Sequence, residues 1–240
     1  MIKKIFLLLG FTSLCAQAQS EGAASEPWAF KLTPSHYSTT QEHNAVDINL
    51  RANNGSHALW LGQYERGDEF HQTRSGYEYT ANFEWGQMVP SLQIATGGFT
   101  GGSLNFQIGQ PFYLIAGMGR TNLRNYYNLN FDPNDSVTLG WGGHFPNGHQ
   151  LSVFSVKDNR LATDQVISHA VWRWQPNDSD RLTIDWAYKT GRNSPQEERV
   201  NGHSLSITFD YSKSFVRWAY DEKVNFSSHN QSRLSLGLRF

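Results

Sequence analysis

The chain ends in the segment 231-QSRLSLGLRF-240, in which apolar and polar side chains alternate without a break. The apolar members are Leu234, Leu236, Leu238 and Phe240, and the polar members between them are Arg233, Ser235 and Arg239. Successive side chains of a β-strand point to opposite faces of its sheet. The segment therefore predicts a strand with one apolar face and one polar face.

The same alternation recurs along the chain from residue 28 onward. Clear apolar sets are Val46, Ile48, Leu50; Tyr77, Tyr79, Ala81, Phe83; Leu104, Phe106, Ile108; Phe112, Leu114, Ala116, Met118; and Leu182, Ile184, Trp186, Tyr188. Clusters of Gly, Asn, Asp, Pro and Ser separate these segments, and none of them has a sustained helical period. The sequence predicts an all-β protein.

The connections between these segments alternate in length, as in a closed antiparallel β-barrel whose turns are short at one rim and longer at the other. Counting back from the last residue, the short connections are 211–213, 175–180, 145–148, 85–87 and 53–55, and the longer ones are 222–230, 190–200, 120–135 and 66–74. We expect 14 strands if residues 28–38 form the first. The count falls to 12 if residues 104–118 are a single strand and residues 28–38 are not a strand.

Aromatic side chains fall at the ends of the expected strands, where membrane barrels carry rings at both interfaces. We expect a lower ring of Trp174, Phe209, Tyr211, Phe83 and Phe240, and an upper ring of Trp186, Tyr188, Trp218, Tyr220, Tyr64 and Tyr77. This arrangement predicts an apolar outer face in lipid and a polar face turned toward the lumen.

The amino terminus has the order of a secretory signal: the charged start 1-MIKK-4, an apolar run over residues 5–11, and Ala16-Gln17-Ala18. We expect a cleaved signal at residues 1–18 and one barrel domain at residues 19–240. The single cysteine, Cys15, lies in the signal, so the mature chain is expected to contain no cysteine. No later segment approaches the roughly 20 apolar residues of a membrane-spanning helix.

The leader, the strand pattern and the ending Leu234-Ser235-Leu236-Gly237-Leu238-Arg239-Phe240 resemble those of Gram-negative outer-membrane β-barrel proteins. The resemblance implies an outer-membrane location among outer-membrane lipids and lipopolysaccharide. It also implies that the barrel-assembly machinery reads the terminal strand ending in Phe240. Channels, enzymes and passive barrels share this architecture, so function must be argued from sites.

Charged side chains out of phase with the apolar sets are candidates for lining the lumen. They are Asp47, Arg51, Glu78, Arg173, Asp185, Lys189, Asp210, Arg217, Asp221, Arg233 and Arg239. Two interpretations remain open: a narrow water-filled lumen, or a salt-bridged polar plug that stabilises the barrel. The near balance of acidic and basic groups predicts weak ion selectivity at most.

His36 and Ser38 lie two residues apart at the external end of the first expected strand, on the same face as its apolar residues. A His and a Ser facing lipid resemble the catalytic pair of outer-membrane phospholipases and lipid A deacylases, in which the histidine activates the serine toward an acyl ester. Asn44, at the top of the next strand, would orient the imidazole. The alternative is that all three are polar rim residues.

The connection 120–135 is the longest expected external loop and is rich in Asn and aromatic residues. Tyr126, Tyr127 and Phe131 are candidates for a constriction in the lumen or for stacking on a sugar, and Arg120 begins the loop. Asp132, Asn134 and Asp135 carry oxygens of the kind that calcium accepts. The sequence Asp-Pro-Asn-Asp is also typical of an ordinary turn, which we favour.

Composition and motifs narrow the functional classes further. The formal net charge of -1 argues against a nucleic-acid partner. The nine histidines have no metal-ligand spacing, and the Gly-rich segment 97–102 lies between strands with no helix after it, which favours a hairpin loop over a phosphate site. We expect no metal or cofactor. The leading hypothesis is a small passive channel or structural barrel, followed by a lipid hydrolase and then by a soluble periplasmic β-sandwich binding module.

Overall fold

The computed structural model describes residues 27–127 and 132–240. The predicted signal at residues 1–18 and the loop residue Phe131 lie outside the described residues. Within them, helical structure is confined to the single 3-10 turns Pro146–Gly148 and Val224–Phe226. No helix in the described part of the chain is long and apolar enough to cross a membrane.

Antiparallel strands form one sheet that closes on itself. The strands are β1 (Ala29–Thr39), β2 (Ala45–Asn54), β3 (His57–Arg66), β4 (Phe70–Tyr79), β5 (Ala81–Phe83), β6 (Gly86–Ala95), β7 (Phe99–Ile108), β8 (Phe112–Thr121), β9 (Ser136–Phe145), β10 (His149–Asp158), β11 (Val166–Trp174), β12 (Asp180–Gly191), β13 (Val200–Tyr211), β14 (Ser214–Asp221) and β15 (Gln231–Arg239). Consecutive strands pair except β4 and β5, which both pair with β6, and β1 pairs with β15. This pairing closes the barrel and leaves no open sheet edge.

The barrel has 14 full strands, since the short β5 continues β4 beyond Thr80 along the same neighbour, β6. The higher of the two expected counts is confirmed. Residues 104–118 are not one strand, because Gly109 has a positive φ of 111° and a Cβ there would lie 2.5 Å from the carbonyl oxygen of Phe112. Only glycine fits this turn easily, and the turn divides the segment into β7 and β8.

The two faces of the sheet differ as the alternation predicts. Large apolar side chains stand exposed on the outer face, as at Leu92 (67 %) and Leu139 (65 %). Buried side chains of the inner face include tyrosines, aspartates, one arginine and one lysine. A single closed sheet with this polarity has its apolar flank outside, so the alternative of a soluble sandwich of two stacked sheets is wrong.

The two rims are those expected, with both chain termini at the rim of short turns, here called the lower end. The upper end carries the connection 122–135 and the connections after β10, β12 and β14. The connection expected at residues 66–74 is wrong in length, because β3 and β4 continue to a turn at residues 67–69. The expected glycine-rich loop 97–102 is also shorter, since β7 begins at Phe99.

Two tyrosines expected in the upper aromatic ring lie elsewhere. Tyr64 points inward and is fully buried, because it falls in phase with the polar face of β3. Tyr77 lies at the lower end, since it pairs with Leu59 near the β2–β3 turn. The error at Tyr77 follows from the misplaced loop: the strand begins at Phe70, not after residue 74, so Tyr77 lies far along it toward the lower end.

Inward-facing aromatic rings lie over glycines on the neighbouring strand. The directly paired residues are Trp60 with Gly76, Tyr113 with Gly142, Phe154 with Gly140, and Phe215 with Gly237. A Cβ on Gly237 would lie 1.8 Å from a ring carbon of Phe215. These pairs hold large rings flat against the wall and keep them out of the centre of the lumen.

Candidate functional site

The expected lumen-lining charges all fall on the inner face of the barrel. Asp47, Arg51, Glu78, Arg217 and Arg233 line one central cavity. Arg173, Asp210 and Arg239 line a second cavity at the lower end, together with Arg217. Asp185 contacts the inward-facing His169, and Lys189 and Asp221 are buried near the upper end.

Charges in the upper half of the lumen are paired and buried. Arg74 donates to Asp47 at 2.5 Å, and both side chains are almost fully buried. Lys189 pairs with Asp221, which also accepts a hydrogen bond from Ser204. Lys189 further lies 5.8 Å from the ring of Phe226, which folds inward from the β14–β15 connection. This part of the lumen fits the polar-plug interpretation.

The described parts of the β8–β9 connection, residues 122–127 and 132–135, contact opposite walls of the barrel interior. On one wall, the ring of Tyr127 stacks on Tyr64 with centroids 4.1 Å apart. The Tyr127 backbone N–H donates to Gln72 on β4 at 3.2 Å. Gln231 on β15 donates to the Tyr127 hydroxyl at 3.0 Å. Tyr127 thus fixes the start of the loop to strands far from β8 and β9.

On the other wall, Asp132 fixes the end of the loop. Its Oδ1 lies 3.0 Å from His169 Nε2, and His169 Nδ1 lies 2.9 Å from Asp185 Oδ1. The imidazole ring of His169 therefore lies between two carboxyl groups, with one at each ring nitrogen. The ring of Phe154 stacks on His169 at 4.7 Å and holds it in place.

Other loop residues pack near the top of β8. Tyr126 stacks on Phe99 at 4.2 Å, and burial raises the pKa of its hydroxyl, which stays neutral. Asp135 accepts from the backbone and hydroxyl of Thr121 at 3.1 and 2.5 Å and from Arg160 at 2.8 Å. Arg120 donates to Asn159 at 3.0 Å.

Protein groups engage both carboxylates of the described parts of the loop. Asp135 caps the β8–β9 strand ends, whereas Asp132 reaches His169. No group of three or more His, Cys, Asp or Glu residues suited to a metal ion occurs in the described parts of the chain.

Three cavities follow one another along the inside of the barrel. The central cavity has a volume of about 530 Å³ and is lined by polar groups that include Asn49, Ser103 and Asn105. An outer cavity of about 310 Å³ shares Tyr126 and Asp132 with it, so the loop forms the boundary between them. A lower cavity of about 150 Å³ shares its Lys31, Phe215 and Arg217 lining with the central one.

The lower cavity is strongly basic. Its charged lining groups are Lys31, Arg173, Arg181, Arg217 and Arg239, against the single carboxylate of Asp210. Arg181 and Arg239 both donate to Asp210. Sequence reasoning missed Lys31 and Arg181, although the alternation of residues 28–38 already places Lys31 opposite the apolar set.

The structure places His36 and Ser38 on the outer face of β1, both exposed, and Asn44 in the exposed turn before β2. Residues two apart on a strand are separated by about 6.6 Å along it. Among the described residues, no hydrogen bond joins any two of these three side chains. A catalytic role for them stays a prediction.

Arg74 and Gln72 were missed as interior residues because both lie in the segment expected to be the loop 66–74. The contact of His169 with Asp132 depends on the position of the β8–β9 loop, which strand alternation does not encode. Contacts across the lumen join residues that are distant in sequence, and they form only once the barrel has closed.

Solved structures support the architecture. The chain is similar to the crystal structure of the Acinetobacter baumannii outer membrane protein Omp33, with a TM-score of 0.56, 10% identity, and coverage of 89% of this chain and 98% of that one. Acinetobacter baumannii OccAB3 (TM-score 0.47, 8% identity, coverage 89% and 98%) and Salmonella typhi OmpF (0.46, 9%, 89% and 97%) also match. No protein-family model and no curated protein sequence matches the chain.

The likeness to Omp33 is one of fold, since so few residues are identical. It confirms the closed antiparallel β-barrel fold expected from the sequence. An apolar band of side chains lies on the outside of this barrel, and polar side chains line its inside.

Proposed function

We propose that the protein is a passive channel of the outer membrane for small polar solutes. The observation that carries the proposal is the polar central cavity of about 530 Å³ inside a closed barrel. Apolar side chains cover the outside of the sheet, whereas charges, amides and hydroxyls line the inside. Such a lining replaces part of the hydration of a passing solute.

The β8–β9 loop sets the size of solute that passes. It lies between the outer and central cavities, fixed by Tyr127 on one wall and Asp132 on another. A loop fixed at both walls narrows the route without closing the barrel. The proposal therefore predicts small conductance and a low limit on solute size.

The test is conductance of the purified mature protein in a planar lipid bilayer. We expect discrete current steps that are absent when protein is omitted or when a heat-unfolded sample is added. Uptake of sugars of increasing size into vesicles gives the size limit. A correctly folded barrel that produces no steps and admits no sugar would rule out the channel and favour a purely structural barrel.

We also propose that the terminal strand is the segment read by the barrel-assembly machinery and that the apolar band contacts outer-membrane lipids and lipopolysaccharide. Phe240 is exposed on the outer face and stacks on Phe30 at 5.7 Å, where β15 closes against β1. Phe240→Ala is expected to lower the folded fraction in outer membranes, with Tyr211→Ala as a control aromatic loss at the same end. Equal folded fractions would contradict this role.

A further inference from the structure

The lower cavity holds cations that have no carboxylate partner. Arg181 and Arg239 share Asp210, but no acidic group of the described residues forms an ion pair with Lys31, Arg173 or Arg217. All three side chains are partly buried on the lumen wall. A group of like charges held near a surface this way attracts counter-ions strongly.

The donors of these cations are only partly used by the protein. Arg173 donates from Nη1 to Gln150 at 3.0 Å, whereas its Nε is buried and has no hydrogen-bond partner. Arg217 donates from Nε to Thr208 at 2.9 Å. A guanidinium presents five N–H donors whose geometry suits carboxylate and phosphate oxygens. Donors therefore remain for an oxyanion.

Phe215 organises the cluster. Its buried ring lies against Gly237, and Lys31, Arg217 and Arg239 lie 5.8, 5.7 and 5.3 Å from its centroid. The ring face attracts the cations but offers no negative charge that would neutralise them. It thus holds basic groups together that would otherwise repel one another.

From this geometry we propose that the channel prefers small anions, with the basic cluster at the lower end as the site that selects solutes bearing a carboxylate or phosphate group. This inference rests on the proposed channel function and deepens it. It departs from the weak selectivity expected from the near balance of lumen charges, because the charges are separated along the barrel axis.

The cluster lies where the central cavity meets the lower one, so its field covers the lower end of the route. The Debye length is about 8 Å at physiological salt, which reaches from the wall into the opening. An anion at about 4 Å from one such charge in water is favoured about fivefold, and a cation is disfavoured to the same degree.

The experiment is the reversal potential across a bilayer that separates 0.1 M from 0.5 M potassium chloride, repeated with potassium phosphate and potassium succinate. We expect each anion to permeate about 25 times more readily than potassium, because a roughly fivefold enrichment of the anion and a roughly fivefold depletion of potassium multiply. The two oxyanion salts distinguish phosphate-bearing from carboxylate-bearing solutes. Arg173→Gln with Arg217→Gln should bring the ratio toward one. The control pair Lys157→Gln with Arg199→Gln removes two charges outside the lumen and should leave the ratio unchanged.

If the double variant fails to fold, the single change Lys31→Gln is measured in its place. Potassium permeating as readily as all three anions, or an unchanged ratio in the lumen variants, would overturn the anion preference while leaving the channel intact. Absence of current in the unmodified protein would instead overturn the channel function itself.

Discussion

The upper and lower halves of the lumen are built from the same strands but are stabilised in different ways. In the upper half, charges are buried in pairs and a loop enters from outside, as at Asp47–Arg74 and Lys189–Asp221. In the lower half, basic groups outnumber acidic ones and are packed around a phenylalanine. A near-neutral interior can thus still contain a strong separation of charge along the barrel axis. We therefore assign narrowing to the upper half and selection to the lower half.

The largest expected difference between the halves is in stability. Asp221→Ala leaves the buried Lys189 ammonium without this carboxylate, and we expect the free energy of unfolding to fall by about 3 kcal/mol. The Arg239 side chain is about one-third exposed in its pair with Asp210. Arg239→Gln should therefore lower the free energy of unfolding by about 1 kcal/mol or less, since Asp210 keeps its ion pair with Arg181. Urea unfolding of the reconstituted barrel, followed by tryptophan fluorescence, measures both; equal losses would break the comparison.

A smaller loss of stability is expected at the lower end, where the ring of Phe215 packs against Gly237. Gly237→Ala places a methyl group against the Phe215 ring and should destabilise the barrel by about 1–3 kcal/mol. The displaced ring should also reduce conductance. In Phe215→Ala the clash is absent, so adding Gly237→Ala there should cost little. A full cost in that double variant would show that the ring contact is not the cause.

Release of the loop gives the next effect. Tyr127→Ala removes a ring stack that contributes about 1 kcal/mol. The equilibrium between the loop held at the wall and the loop withdrawn from it should therefore shift about fivefold toward the withdrawn state. Conductance should rise and fluctuate more, whereas anion preference should persist because the lower cluster is untouched. Tyr211→Ala, an exposed aromatic at the lower rim, serves as the control in single-channel recordings. A loss of anion preference in Tyr127→Ala would show that the upper half, not the lower half, selects the anion.

The smallest expected effect is the response to salt. The Debye length falls from about 10 Å at 0.1 M to about 3 Å at 1 M ionic strength. Anion preference, which depends on the lower cluster, should therefore decline over this range. The buried upper pairs are screened much less, so the urea midpoint should stay nearly constant. Selectivity that is independent of salt would mean that geometry, not charge, chooses the solute.

Sequence predicted the barrel and its two faces well because both follow from a period of two. Positions such as Asp47 and Asp210 could be assigned to the interior from their phase alone. The sequence did not predict how far β3 and β4 extend toward their turn, because the polar residues there, such as Arg74, are also typical of a loop. The role of the lumen halves also escaped, because it depends on which strand ends meet and where the loop returns, as the contact between Asp132 and His169 illustrates.

Side chains that face a water-filled interior and side chains that face lipid alternate residue by residue along the strands of the proposed channel. Since the mature chain is expected to lack cysteine, single substitutions can test this alternation in neighbouring positions. Asn49 lines the central cavity, whereas Ile48 is exposed on the outer face of β2, so Asn49→Cys and Ile48→Cys form a matched pair. A hydrophilic thiol reagent should reduce the channel current of Asn49→Cys and leave that of Ile48→Cys unchanged; a reduced current for Ile48→Cys alone, or for neither, would contradict the account.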